Sequence, residues 1–198
     1  LPRVLIMASR YDHCLNDLLY RYRTGALKMA IPAIVSNHMD LAGLASWHKV
    51  PYFHIPVSAE TRQEAEERLM DIAGDTKAEL IVLARYMQIL SPAICAQYPG
   101  RIINIHHSFL PGFKGAKPYH EAHRRGVKLI GATAHYVTAD LDEGPIIEQT
   151  VERADHTMSP DDLAATGRDV ESITLARAVK LHIEHRVFVN GSKTVVLR

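Results

Sequence analysis

No apolar run in this sequence is long enough to span a membrane, because the best candidates are broken by charge at Lys28 and Arg85. The opening stretch Leu1–Ala8 carries one positive charge and a short apolar run. It is too brief for a signal peptide and suits a buried strand. Cysteine is scarce: Cys14 and Cys95 are the only two, and neither sits in a CxxC pair. Two thiols cannot staple a secreted fold, so a reducing cytoplasm is the expected location. Net charge is nearly absent, at +1. A strong overall field for nucleic acid or an anionic membrane is thereby excluded, and neither is expected as a partner. Metal-site spacing is also missing. His107, His120, His123 and His135 raise the possibility of a metal, but there is no HExxH and no cysteine cluster, and no metal is expected. The first residue is Leu rather than Met, which fits a chain from which a preceding segment has been removed.

What is present is ordinary for a globular protein: 198 residues, 47% hydrophobic and 23% charged. One domain over residues 1–198 is the economical reading. Short apolar runs alternate with amphipathic stretches. Strands are expected at Val4–Ala8, Ala33–Ser36, Tyr52–Ile55, Leu80–Leu83, Arg101–Ile105, Leu129–Val137 and Ile146–Val151. Helices are expected at Leu15–Arg23, Asp40–Lys49, Glu60–Ala73, from His120, and from Pro160 to His185. Val187–Val189 and Thr194–Leu197, joined by Asn190-Gly191, read as a closing hairpin. Runs such as Leu80–Leu83 are apolar on both faces, as in the interior of a parallel sheet covered by helices. The expected fold is α/β: doubly wound and Rossmann-like, a mostly parallel sheet with helices on both faces.

The chemistry concentrates in Asn104-Ile105-His106-His107-Ser108-Phe109-Leu110-Pro111-Gly112-Phe113-Lys114-Gly115. This segment begins at the C-terminal end of an expected strand, where open α/β sheets bind ligands. Asn104 and His106 are two residues apart, so an extended chain points both to one side. An amide donates to a developing oxyanion; an imidazole donates when charged or exchanges a proton near neutral pH. His135 lies on an expected strand and reads as support for the site. His107 orients its neighbour or binds water. Asp142, in Asp140-Leu141-Asp142-Glu143-Gly144-Pro145, reads locally as a turn-former. Lys114 and Lys117 read as solvated loop lysines.

Taken together, Asn-Ile-His at 104, Ser-x-Leu-Pro at 108, Gly131–Val137 and Leu141–Ile147 resemble the folate-dependent formyl-transfer superfamily. The form Asn104–Pro111, with Phe113–Tyr119, His13-Cys14-Leu15 and Gly167–Glu171, is most similar to its formyltetrahydrofolate deformylase branch. The likeness runs over the whole chain. It implies that Asn104, His106 and Asp142 are catalytic. It also implies a folate pocket lined by Met87, Gln88, Ile89 and Leu90 on one side and by Val137, Asp140 and Leu141 on the other. The implied reaction is hydrolysis of 10-formyltetrahydrofolate to formate and tetrahydrofolate, feeding purine and one-carbon metabolism. The folate is the substrate, no cofactor is implied, and a homo-oligomer is expected.

Two departures bear on this. The transferases that act on glycinamide ribonucleotide carry a glycine-rich, phosphate-cradling loop after the first strand. Here Ser9–Asn16 has no glycine, and Asp12 adds a negative charge. Water is the natural substitute acceptor. Deformylases commonly carry an N-terminal ACT domain, and nothing in this sequence corresponds to one. The alternatives left open are a formyltransferase acting on an amine and a folate-binding protein without catalysis.

Overall fold

The computed structural model describes residues 1–107 and 118–198. The loop expected from Pro111, with Lys114 and Lys117, lies outside the described residues. Among the described residues, seven strands form one sheet: β1 Val4–Ala8, β2 Ile34–Ser36, β3 Tyr52–His54, β4 Leu80–Leu83, β5 Ile102–His106, β6 Leu129–Tyr136 and β7 Ile146–Arg153. The helices are α1 His13–Arg23, α2 Ala42–Trp47, α3 Arg62–Asp75, α4 Pro92–Gln97, α5 Pro118–Arg125 and α6 Pro160–Ile183. A separate hairpin pairs β8 Val187–Asn190 with β9 Lys193–Val196.

The sheet order is β3-β2-β1-β4-β5-β6-β7. The first five strands pair in parallel, and β6 runs antiparallel to both of its neighbours. The expected mostly parallel, doubly wound sheet is present, with the order reversing between β1 and β4. Alternation along the strands divides the core in two. Val4, Ile6, Val82, Ile103, Ile105 and Ala134 face α1 and α6, whereas Leu5, Met7, Ile81, Leu83 and Ile102 face α3 and α4. Both faces of the inner strands are therefore buried, which is why these runs show no polar alternation.

The differences from the expected elements are local. The segment Pro92–Gln97, not expected as a helix, forms α4. Ser91 precedes it in an extended conformation and Pro92 takes the first turn, the arrangement a fixed proline φ favours. The helix expected from Glu60 starts at Arg62, with Ala65, Leu69, Ile72 and Ala73 buried. In the hairpin Asn190 pairs with Lys193, so the two turn residues are Gly191-Ser192 rather than Asn190-Gly191. Gly191 there takes a positive φ of 63°.

Helix α6 contains Gly167, where a β-carbon would overlap the Tyr119 ring and hydroxyl. Alanine normally stabilises a helix interior by about 1 kcal/mol over glycine. Here overlap with a packed aromatic ring is expected to reverse that gain. Gly167→Ala should lower the thermal unfolding midpoint, and a raised midpoint would show that Tyr119 moves aside freely.

Candidate active site

Cross-strand pairing assembles the site. In the β5–β6 register Asn104 lies opposite His135, and His106 lies opposite Thr133. Ile103 and Ile105 face α6, so Asn104 and His106 turn to the other face. The chain leaves β6 beside Ile102, to which Val137 donates its amide hydrogen at 2.9 Å. To reach His106, the following turn must fold back across that face. It does so with Asp142 in a left-handed conformation, φ 56°. Gly144 is pressed so closely onto the Tyr136 carbonyl that a β-carbon would overlap it. Glycine is thus required at 144 by the approach of backbone to backbone.

The Asp142 carboxylate then lies between two imidazoles. Its Oδ2 is 3.6 Å from His106 Nδ1, and its Oδ1 is 3.7 Å from His135 Nε2. His135 is only 2% exposed, and its Nδ1 lies 2.9 Å from the Tyr136 carbonyl. A carbonyl only accepts, so His135 carries its proton on Nδ1. These groups line a cleft of about 240 Å³ with Met87, Gln88, Ile89, Leu90, Val137, Asp140 and Leu141. Asn104 lines the same cleft. Met87, Ile89 and Leu141 are more than half exposed, an apolar rim that suits a ligand groove. The residues named from the sequence as catalytic or folate-binding, with His107 and His135, all line this cavity, whereas His120 and His123 do not.

The wall at 85–90 is irregular backbone held by side chains. The Met87 amide donates to Ser9 Oγ at 3.0 Å, and Ser9 Oγ donates to Asn37 Oδ1 at 2.6 Å. Arg62 donates to the Ile89 carbonyl, and the Ser91 amide donates to Glu66 at 2.8 Å. These supports were not legible in the sequence, since they join residues far apart in the chain.

A buried cluster that sequence reasoning did not assemble lies behind the cleft. Glu171, 1% exposed, accepts from His13 Nε2 at 2.6 Å, from the Tyr119 hydroxyl at 3.1 Å and from Arg85 Nη1 at 3.3 Å. Arg85 also donates to His107 Nδ1 at 3.1 Å, and its guanidinium stacks over Tyr11. The His107 ring is stacked on His106, with centroids 4.9 Å apart. One signal did exist: a glutamate among Val170, Thr174 and Leu175 on a buried helix face needs a tertiary partner. His13, Cys14 and Glu171 also bring three possible metal-ligand atoms within 4.8 Å of one another. They do not fit an ion well, because His13 Nε2 is spent on Glu171 and Arg85 occupies the other oxygen. Burial, with help from Glu171, also pushes the Cys14 thiol up, away from the thiolate that a metal needs.

Burial governs the imidazoles. It lowers His106 below its usual 6.5; Asp142 works the other way, while His135 and Arg85 add to the lowering. Burial also lowers His135 against the opposing pull of the Tyr136 carbonyl and Asp142. Burial, the Arg85 charge and His106 bring His107 down to about 4. Burial thus favours the neutral form of His106 against the pull of Asp142. Burial also works to raise Glu171. The hydrogen bond from His13, the Arg85 charge and the Tyr119 hydroxyl outweigh it and hold the carboxyl below its usual range.

Residues 2–179 match the formyl transferase family. The chain belongs to the formyl transferase family. A formyltetrahydrofolate deformylase of Corynebacterium sp. (strain P-1) is 54% identical over 99% of this chain and 68% of that protein. A crystal structure of the formyltetrahydrofolate deformylase of Burkholderia mallei superposes with a TM-score of 0.97 at 62% identity, covering 100% of this chain and 70% of the other. Glycinamide ribonucleotide transformylase 1 of Symbiobacterium toebii superposes with a TM-score of 0.91 at 28% identity, covering 100% and 95%. This member of the formyl transferase family thus spans about two-thirds of the length of its deformylase relatives. No helix among the described residues is long and apolar enough to cross a membrane.

The depressed imidazoles make stability depend on pH with a defined sign. Between the folded value and 6.5 the unfolded chain binds more protons, so stability is present above 6.5 and is lost as pH falls. For His107 the window runs from 6.5 down to about 4. The urea midpoint should drop between about pH 7 and about pH 5, and less so in His107→Gln. Equal drops in the two proteins would contradict the assignment to His107.

Proposed function

We propose that this chain hydrolyses 10-formyltetrahydrofolate to formate and tetrahydrofolate, with Asn104, His106 and Asp142 acting on the formyl group. The observation that carries the reading is the Asp142 carboxylate set between His106 and His135 in a cleft with apolar walls. The names of the relatives that align over nearly the whole chain support it.

Water is a poor nucleophile toward an amide-like carbonyl, so the site must take a proton from it and stabilise the tetrahedral oxyanion. Asp142 positions the water and accepts its proton, directly or through His106. The tautomer of neutral His106 with a proton on Nδ1 faces the carboxylate and leaves Nε2 free to accept. Once protonated, His106 donates to the oxyanion alongside the Asn104 amide. Collapse breaks the bond between the formyl carbon and N10, N10 takes the proton that Asp142 or His106 accepted from the water, and the formic acid released ionises to formate. At 3.6 and 3.7 Å the Asp142 carboxylate is close enough to stabilise a charge that develops on either imidazole. The Met87–Leu90 segment and the 137–141 loop hold the pterin between them. Action on a small-molecule substrate without a metal or cofactor, as a cytoplasmic homo-oligomer, belongs to the same proposal.

Transfer to a phosphorylated amine is the less favoured reading. The turn after β1 has no glycine, and beside α1 the buried Glu171 carboxylate, tied to His13, opposes an anion.

Supplying 10-formyltetrahydrofolate alone should release formate and tetrahydrofolate in equal amounts. Release only when glycinamide ribonucleotide is added would favour transfer, and binding without product would favour a folate-binding protein. Asp142→Asn should cut turnover by about a hundredfold to a thousandfold, the cost of losing a group that acts only on the transition state. Near-parental turnover in that variant would remove Asp142 from the mechanism.

A further inference from the structure

We propose that Glu171 and Arg85 are positioning residues for His106, acting through His107: the pair fixes the place of the His107 proton and the plane of its ring. This rests on the reading of His106 as an acting residue.

The argument begins with what arginine can do. A guanidinium donates and never accepts, so the 3.1 Å contact from Arg85 Nη1 requires a lone pair on His107 Nδ1. His107 is thereby held neutral with its proton on Nε2. That ring lies nearly parallel to His106, at 21° and 4.9 Å between centroids, so the plane of one constrains the plane of the other. Arg85 in turn has no freedom to turn away. Its Nη1 is held by Glu171, its guanidinium lies 4.8 Å from the Tyr11 ring centre, and its backbone sits at a φ of +62°.

Glu171 is the keystone because every direction around it is filled. His13 of α1 holds one oxygen, while Tyr119 of α5 and Arg85 after β4 hold the other. Gly167, one helical turn before Glu171, leaves the space into which Tyr119 reaches. Buried charge of this kind is costly compared with apolar packing. A purely structural seam between α1 and α6 would be served by apolar residues, as it is at Leu15, Leu18 and Leu175. The cluster instead ends on the ring stacked against His106.

Among the described residues, the groups that face the histidine pair come from five places. They are Arg85 after β4, His135 on β6, Asp142 in the turn after it, Glu171 on α6 and Tyr119 on α5, with His13 of α1 behind Glu171. Glu171, together with Asp142, offsets Arg85 as felt at His106 and His107. Removing Glu171 leaves only Asp142 to offset Arg85 and makes both imidazoles harder to protonate. Removing the cation does the reverse.

The test uses Glu171→Gln and Arg85→Gln in the otherwise unaltered chain. For Glu171→Gln, kcat is expected to fall about tenfold to a hundredfold with KM for 10-formyltetrahydrofolate little changed, the range seen when a partner that orients an acting side chain is lost. The limb of the pH–rate profile set by His106 should move to lower pH in Glu171→Gln and to higher pH in Arg85→Gln. A kcat loss with an unmoved profile in both variants, or movement in the same direction in both, would overturn the proposal. A second readout needs no turnover. In the folded parent, nitrogen NMR of the imidazoles should show His107 protonated on Nε2 alone, and Arg85→Gln should convert it to a mixture of tautomers. A parent in which His107 carries its proton on Nδ1 would overturn the proposal even if the enzyme works as proposed. A correct tautomer in a chain that releases no formate would instead count against the reading of the function.

Discussion

The site depends on the placement of one carboxylate. Asp142 sits in a turn whose backbone adopts a left-handed conformation, and that turn is pinned because Gly144 lies against the Tyr136 carbonyl. Without the turn folding back over the sheet, Asn104, His106 and His135 would face an open surface with no acid among them. With it, each carboxylate oxygen meets one imidazole and a cleft is closed between two loops. Strained backbone at such a position costs of order 1–3 kcal/mol and persists only where the surroundings over-determine it. Here the antiparallel β6–β7 pair anchors both ends of the turn, and the Tyr136 amide donates to the Pro145 carbonyl at 2.9 Å.

The antiparallel β6 is the other necessity. In a parallel continuation the residue opposite Asn104 would come with a crossover helix, and no turn could return over the same face. Reversing the strand lets the loop after it double back towards His106. It also sets His135 directly beside Asn104, where burial and the Tyr136 carbonyl hold its ring in one tautomer. The two faces of the sheet then divide the work. The α3/α4 face presents the cleft, and the α1/α6 face supplies the charged cluster behind His107. The two meet at the ends of β4 and β5, where Arg85 and His107 line the cleft and join the cluster.

Much of the fold was legible in the sequence because the inner strands are apolar on both faces and the long helices are periodic. The short α4 was not, since six residues give too little periodicity to register, although Ser91-Pro92 carried the start signal. Among the candidate site residues, the spacing of Asn104 and His106 placed both on one side of a strand from local geometry alone. Asp142 looked like a turn residue, and it is one; its second role depends on where the turn goes. His13 and Glu171 were visible only as parts of two separate motifs.

By itself, the sequence determined the alternation of strands and helices, the amide–imidazole pair at 104 and 106, the apolar character of the 87–90 wall and the family likeness. These follow from interactions within a few residues of chain, or from patterns that survive without a third dimension. The tertiary structure alone decided that Asp142 lies between His106 and His135, that burial pushes His106 towards its neutral form, and that Glu171 reaches His107 through Arg85. The physical reason is that desolvation and ion pairing depend on what surrounds a group in space. Glu171 and Arg85 are separated by 86 residues of chain and by 3.3 Å in the fold.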